Sequence, residues 1–448
     1  MTAAAAHRAA VLPHSKEAAR ATASGARTSL VWSEYCYLFC VVVALALVIV
    51  PPEWNFYGRR VIRQLPLFGS ILCALLCFLG RKLSMPNEPL LSARVAIRTL
   101  LPLAVLALWI VIGSLHARTV ENFQSTFLNF GLYMSAAITA ALIVSSSAAP
   151  TRLAQFYLRL VVCAALTMSV VLALSFGKRE IYHEQIFLVI PIAVVCAISA
   201  RSRALTWLAC AFVLTTALLS RKNTSYLIAL LTVFYIAAFL WLNTIKRAPS
   251  IKQLWAHYLA FVGVLIVAAA GCYVLYNRER YLPSGNVEFR SFTYRAAWQQ
   301  FLDSPLWGTS FSAESIRKFT LYTIGISRNR LPTHSDVMDL LANGGLLAVT
   351  LWLWSYFRAG VFAFRRVLAP RFLHYPWAPH AHAFAMISVA AVATYAFNPI
   401  LLQPEMAFLT WSTLGFLVGL AASCDPERYA GIIAQRFHPS MPEARAAR

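Results

Sequence analysis

The hydrophobic positions of this chain gather into long runs separated by short polar breaks. They do not alternate. The runs fall at roughly 35–50, 65–79, 99–115, 127–147, 158–176, 186–200, 204–219, 226–242, 259–276, 340–357, 384–397 and 402–423. A helix needs about 20 apolar residues to cross a bilayer, and it satisfies its own backbone where no water reaches. The pattern therefore predicts an all-α integral membrane protein of about 12 transmembrane helices. The runs at 186–200 and 204–219 are split only by Arg201-Ser202-Arg203, which predicts a tight helical hairpin. Those at 384–397 and 402–423, split by Asn398-Pro399, predict another.

Composition agrees with the pattern. Of 448 residues, 59% are hydrophobic and 12% charged, and mean hydropathy is +0.63. A soluble domain carries about 25% charged residues. Half of that cannot cover a soluble surface, which excludes a soluble enzyme and a disordered scaffold. The net charge of +22 would suggest nucleic acid in a soluble protein. Here it indicates positive-inside anchoring and an anionic substrate, with no nucleic-acid partner. An even number of spans puts both termini on one side. With the N-terminus in the cytoplasm, most of the 39 Lys and Arg fall inside and most of the 17 acids outside.

The organisation that follows is a disordered cytoplasmic tail over 1–33, transmembrane helices 1–9 over 34–276, a periplasmic loop over 277–339, helices 10–12 over 340–423 and a cytoplasmic tail over 424–448. The first tail is rich in Ala and Arg and mimics a transit peptide, but no cleavage site is evident. The nine cysteines nearly all fall in apolar runs and read as small buried hydrophobes.

The 277–339 loop is the one long connection, and it holds Arg278, Arg280, Arg290, Arg295, Arg317, Lys318, Arg328 and Arg330. A loop of that length is uncommon unless it is functional or structured. Phe292 to Leu302 fits a short helix that Asp303-Ser304-Pro305 stops. Leu306-Trp307-Gly308 then turns, and Ala313 to Thr323 fits a second helix.

Three clusters can carry chemistry. His334 stands at the end of the basic loop, where the chain re-enters the membrane ahead of Gly344-Gly345. Asp336 and Asp339 follow at spacings that let one carboxylate reach the ring, fixing its tautomer and raising its basicity. Thr333, Ser335 and Asp336 are equally good helix N-caps, so a purely structural role is open too. Arg221 and Lys222 close one span with almost no loop before the next. They suit either phosphate recognition or snorkelling to lipid. Arg290 and Arg295 are five residues apart and need not share a helical face. Arg295 falls inside the predicted helix and is the better candidate for anion binding. Arg59, Arg60, Arg63, Lys178 and Arg179 read as interfacial anchors. The chain has no P-loop, HExxH, GxSxG or Rossmann fingerprint. No outward pair of closely spaced carboxylates suggests a metal-dependent glycosyl or phosphoryl transferase either. A site that must stabilise a diphosphate without a metal needs several Arg or Lys instead.

In their order, these features resemble the O-antigen ligase family and, more broadly, the O-antigen ligase/polymerase superfamily. They are Leu219-Ser220-Arg221 after a span, Tyr294-Arg295-Ala296-Ala297-Trp298 with Ser304-Pro305-Leu306-Trp307-Gly308 behind it, and His334 ahead of Gly344-Gly345. The motifs cover roughly residues 205–360. The resemblance implies a metal-independent lipid-linked glycosyltransferase of the bacterial inner membrane with no cofactor. Such an enzyme moves an O-polysaccharide from undecaprenyl diphosphate to a sugar of the lipid A–core on the periplasmic side. It implies essential roles for Arg221, Arg295 and His334. Ser335 departs from the family pattern, in which Asn or another residue often follows the histidine. An O-antigen polymerase or a protein O-oligosaccharyltransferase would use the same donor. A transporter or flippase, from another class, would place charges within its spans.

Overall fold

The computed structural model describes residues 30–50, 62–84, 91–116, 127, 130–174, 186–199, 203–220, 223–244, 285–312, 333, 335–373, 375–398 and 400–424. Every regular element among them is helical. In chain order these are α1 (Trp32–Ile49), α2 (Leu65–Ser84), α3 (Leu91–Thr99), α4 (Leu101–Ser114), α5 (Ser135–Ser146), α6 (Pro150–Leu174), α7 (Ile186–Ser199), α8 (Arg203–Ser220), α9 (Asn223–Thr244), α10 (Gly285–Asp303), α11 (Asp336–Ala363), α12 (Ala378–Tyr395) and α13 (Pro404–Ser423).

Each predicted apolar run coincides with a helix except 259–276, which lies outside the described residues, as does the expected loop helix over 313–323. By length and composition four of the described helices can cross a membrane, or five if the bent pair α3–α4 is one span. Shorter apolar helices accompany them. The protein is thus a multi-pass membrane protein. The α3–α4 run begins earlier than its hydropathy suggested and bends by 61°. Pro102 stands in the first turn of α4, where it can give no backbone N–H to the preceding helix.

α13 is the centre of the bundle, with nearly all of its apolar stretch buried. It packs on α5 so closely that glycine is required. A Cβ at Gly415 would lie 2.3 Å from the Ala137 carbonyl oxygen, and one at Gly419 would lie 2.7 Å from Val144 Cβ. Gly415 and Gly419 form a small-xxx-small stripe facing Ala137, Ala140 and Ala141, the way membrane helices gain contact without a hydrophobic driving force. The predicted hairpins are both present: α7 lies on α8 and α12 on α13, the latter pair joined through the short turn Ile400–Leu402. α7 also packs on α12, and α1 on α2. The described cysteines are all free, but Cys36 and Cys163 are exposed rather than buried, on the outer surface of α1 and α6.

Arg63, expected as an interfacial anchor, is instead bound to a buried acid. Its guanidinium reaches Glu405 in the first turn of α13 at 3.3 Å. Tyr133 donates to the Arg63 carbonyl and to Gln64 Oε1, both at 2.9 Å. A buried carboxylate is tolerated only with such partners.

Gly415→Ala is expected to lower stability by roughly 1–3 kcal/mol, because backbone cannot yield to the new methyl. Gly360→Ala, whose Cβ would meet nothing within 4 Å, is expected to be neutral or slightly stabilising. Thermal unfolding of the two variants in detergent checks the contrast.

Candidate active site

The end of the bundle where α9, α11 and α13 begin collects the groups of interest. Ser335 is the N-cap of α11: its hydroxyl accepts from Met338 N at 3.3 Å. A serine there supplies one of the acceptors that a helix start lacks, worth about 1 kcal/mol. Thr333 and Ser335 are joined by two further bonds. The Thr333 hydroxyl accepts from Ser335 N at 3.2 Å and donates to Ser335 O at 2.9 Å. The Thr333 amide donates to Asp339 Oδ1 at 3.2 Å. Thr293 of α10 donates to the Thr333 carbonyl at 3.3 Å, and the Ser335 hydroxyl reaches the Tyr395 carbonyl of α12 at 3.4 Å. The residues on both sides of position 334 are therefore held from α10, α11 and α12. His334 itself lies outside the described residues, as do Arg221 and Lys222.

Both candidate carboxylates are engaged by backbone. Asp336, fully buried, accepts from Leu401 N at 3.1 Å, tying the start of α11 to the α12–α13 turn. Asp339 holds Thr333. Asn398 in the same turn donates to Thr224 in the first turn of α9 at 2.8 Å. The start of α9 thus lies beside the α12–α13 turn, and that turn lies beside the start of α11.

α10 divides the two described arginines, as their spacing of five allows. Its inner face is Arg290, Thr293, Tyr294, Ala297 and Phe301, with Thr293 and Ala297 fully or nearly fully buried. Arg295 is exposed, on the same face as exposed Trp298 and Leu302. Arg290 Nε and the Tyr294 hydroxyl are buried without a hydrogen-bond partner among the described residues. Burial raises the Tyr294 phenol. Arg290 beside it acts the other way, while Asp339 raises it further. It stays a neutral donor next to a guanidinium, a pairing suited to a phosphate oxygen. Tyr294 was not singled out from the sequence. The signal available was its spacing from Arg290, four residues and so one helical turn.

A backbone lock holds α10 against α11. Gly345 adopts φ 59 and ψ −161, which breaks α11 after two turns. The amides freed by the break are taken by the turn that follows α10. Leu346 N donates to Pro305 O at 2.9 Å and Leu347 N to Leu306 O at 3.3 Å. In return Phe311 N donates to Asn343 O at 2.9 Å. Gly308 (φ +55) lies where a Cβ would be 2.5 Å from the Asn343 carbonyl carbon, and a Cβ on Gly345 would be 2.5 Å from Leu306 O. The other side of the turn meets α4: Trp109 makes edge contacts with Trp307 and Phe311. The two glycine motifs read separately in the sequence are thus the two halves of one joint. Among the described residues no three His, Cys, Asp or Glu side chains come together to hold a metal ion.

The fold and site define a multi-pass helical membrane protein with a basic, backbone-locked site at one end of the bundle. A family model described as O-antigen ligase matches residues 186–353, which span α7 to the middle of α11. The resemblance to that family is borne out over this stretch, and it supports a function of the O-antigen ligase/polymerase type. Among curated proteins, none matches the chain.

Gly308→Ala and Gly345→Ala are each expected to open the joint, since both add a left-handed residue with a side chain and a clash with backbone. The expected readout is a lowered unfolding temperature together with faster limited proteolysis between residues 304 and 335.

Proposed function

We propose that the protein is an O-antigen ligase, transferring O-polysaccharide from undecaprenyl diphosphate to a sugar of the lipid A–core on the periplasmic face of the bacterial inner membrane. One observation carries this reading furthest. The segment bracketing His334 is pinned by α10, α11 and α12 beside a buried, unpartnered Arg290 Nε and Tyr294 hydroxyl. The O-antigen ligase match over 186–353 covers the same groups.

In this mechanism His334 takes the proton from the acceptor hydroxyl as it attacks the anomeric carbon opposite the leaving group, so the configuration inverts. Undecaprenyl diphosphate leaves as an anion. Arg221 and Arg295, with Lys222 and Arg290, neutralise its growing charge, the work a divalent cation does in other transferases. Arg290 and Tyr294 face the pinned segment and serve as inner donors to the diphosphate. Arg295, beside Trp298 and Leu302, serves at the mouth, where an amphipathic lipid substrate enters. Asp339 positions the histidine through the Thr333 amide rather than through the ring. Asp336 anchors the helix start to the α12–α13 turn.

The test is the lipopolysaccharide profile of a ligase-deficient strain carrying the wild type or variants. The wild type restores the O-antigen ladder. His334→Ala leaves a trace, a loss on the order of 10²–10⁴-fold, while polymerised lipid-linked donor accumulates. Arg221→Ala, Arg290→Ala and Arg295→Ala also lose the ladder. A wild type that lengthens lipid-linked glycan without attaching it to core is a polymerase, and one that changes neither pool sinks the reading. Asp339→Ala is expected to fall toward the His334→Ala level, and Asp339→Asn, which still accepts from Thr333 N, to recover most of the activity. Equal loss in both would exclude the positioning role.

A further inference from the structure

A cavity of about 630 Å³ lies between α9, α11, α12 and α13, away from the site described above. Its walls are almost wholly apolar, from Tyr235 and Phe239 on α9, through Tyr356 and Gly360 on α11, to Val389 and Val392 on α12. Phe364 and Val389 of its lining are exposed, so it is open to the protein surface. His382 breaks the apolar lining. Its Nδ1 is bonded to the Tyr235 hydroxyl. Its Nε2 is buried with no hydrogen-bond partner among the described residues, in a residue 5% exposed. When the phenol donates to Nδ1, the ring proton resides on Nε2, a donor with nothing to meet in an apolar chamber. Leaving such a group unsatisfied is costly, so the geometry asks for an acceptor.

The far end of the cavity is basic. The π-helical turn Phe364–Leu368 that continues α11 contributes Phe364 and Leu368 to the lining, and between them it exposes Arg365 and Arg366. His382 lies about one helical turn inside the start of α12, and Val392 roughly 15 Å deeper at 1.5 Å per residue. From the surface inward the order is cation, single hydrogen-bond donor, apolar tube. That is the order of phosphate, ester carbonyl and acyl chain in a phospholipid. The tail of the proposed polyprenyl diphosphate donor does not fit this order. Its anionic end belongs at the opposite end of the bundle, near Arg290, and its hydrocarbon has no acceptor to offer His382.

We propose that this cavity binds one acyl chain of an anionic phospholipid from the leaflet at the C-terminal end of α11, with the ester carbonyl at His382 Nε2 and the phosphate at Arg365 and Arg366. The site makes α9, α11 and α12 share a lipid as a packing element, apart from substrate.

The test uses the detergent-purified full chain with phosphatidylglycerol carrying a photoreactive diazirine in its acyl chain, and phosphatidylcholine carrying the same group. Labelled residues are mapped by mass spectrometry. Phosphatidylglycerol is expected to label residues 356–364 and 382–392 about tenfold more than phosphatidylcholine does. Gly360→Leu fills the cavity where a Cβ meets open space, and it is expected to cut that labelling several-fold with unchanged elution on size exclusion. Arg365→Gln with Arg366→Gln is expected to abolish the preference between headgroups while labelling persists. Equal labelling by both lipids in the wild type overturns the proposal, as does labelling that Gly360→Leu leaves untouched. Loss of the label on adding undecaprenyl diphosphate also overturns it, and assigns the cavity to the donor. None of these readings depends on ligase activity.

Discussion

The joint between the α10 turn and the glycine break in α11 is the constraint on which the rest of the site depends. A helix that simply continued through Gly344-Gly345 would satisfy its own amides and leave the loop nothing to bind. The left-handed φ at Gly345 frees Leu346 and Leu347, and Pro305 and Leu306 supply the missing carbonyls. Backbone bonds of this kind have no side-chain entropy to lose. They set the depth of α10 against α11, so Thr293 reaches Thr333 and Arg290 and Tyr294 turn toward the same place. Trp109 and Gly113 of α4 close the joint from behind, with a Cβ at Gly113 only 2.0 Å from Ser310 O. The turn that follows α10 is thereby bonded into α11 through main-chain groups alone.

The same end of the bundle concentrates the buried charge. Asp336 and Glu405 both begin helices, and each meets a donor from a distant part of the chain: Leu401 N for the first, Arg63 for the second. A carboxylate in the first turn of a helix also gains from the helix dipole. These pairs fasten the α12–α13 turn to α11 and the start of α2 to α13. The start of α11 and the start of α13 are therefore fixed by anchors from distant parts of the chain. The opposite end is different in kind, with an apolar side cavity, one orphaned imidazole nitrogen and arginines at its edge.

Much of this was legible in the sequence. Long apolar runs can be satisfied only as helices in a bilayer, so all but one of the predicted runs meet a described helix, and the remaining run lies outside the described residues. Pro305 marked the end of α10, because a residue without an N–H ahead of a turn stops a helix. Ser335 was readable as a cap. The partners were less legible. Arg63 looked like any interfacial arginine until Glu405, far along the chain, came within 3.3 Å. Tyr294 opens the stretch Tyr294 to Trp298 without a role of its own in the sequence, and its place comes from what α10 buries. The glycine stripe at 415 and 419 gained its meaning only from the carbonyl of Ala137 opposite it.

What the sequence determined by itself is the local content: which segments are helical, which loop is basic, and which residue types are present for acid–base and anion chemistry. These follow from short-range physics, the backbone's need for hydrogen bonds and the transfer of side chains out of water. What the tertiary structure alone decided is which of those residues meet. It put Arg290 rather than Arg295 on the inner face of α10. It turned Asp339 toward the Thr333 amide and Asp336 toward Leu401, and it paired two glycine motifs that lie far apart in the chain. Such outcomes rest on contacts between distant segments, where a shift of one helical turn exchanges one face for another, and no local pattern encodes that register.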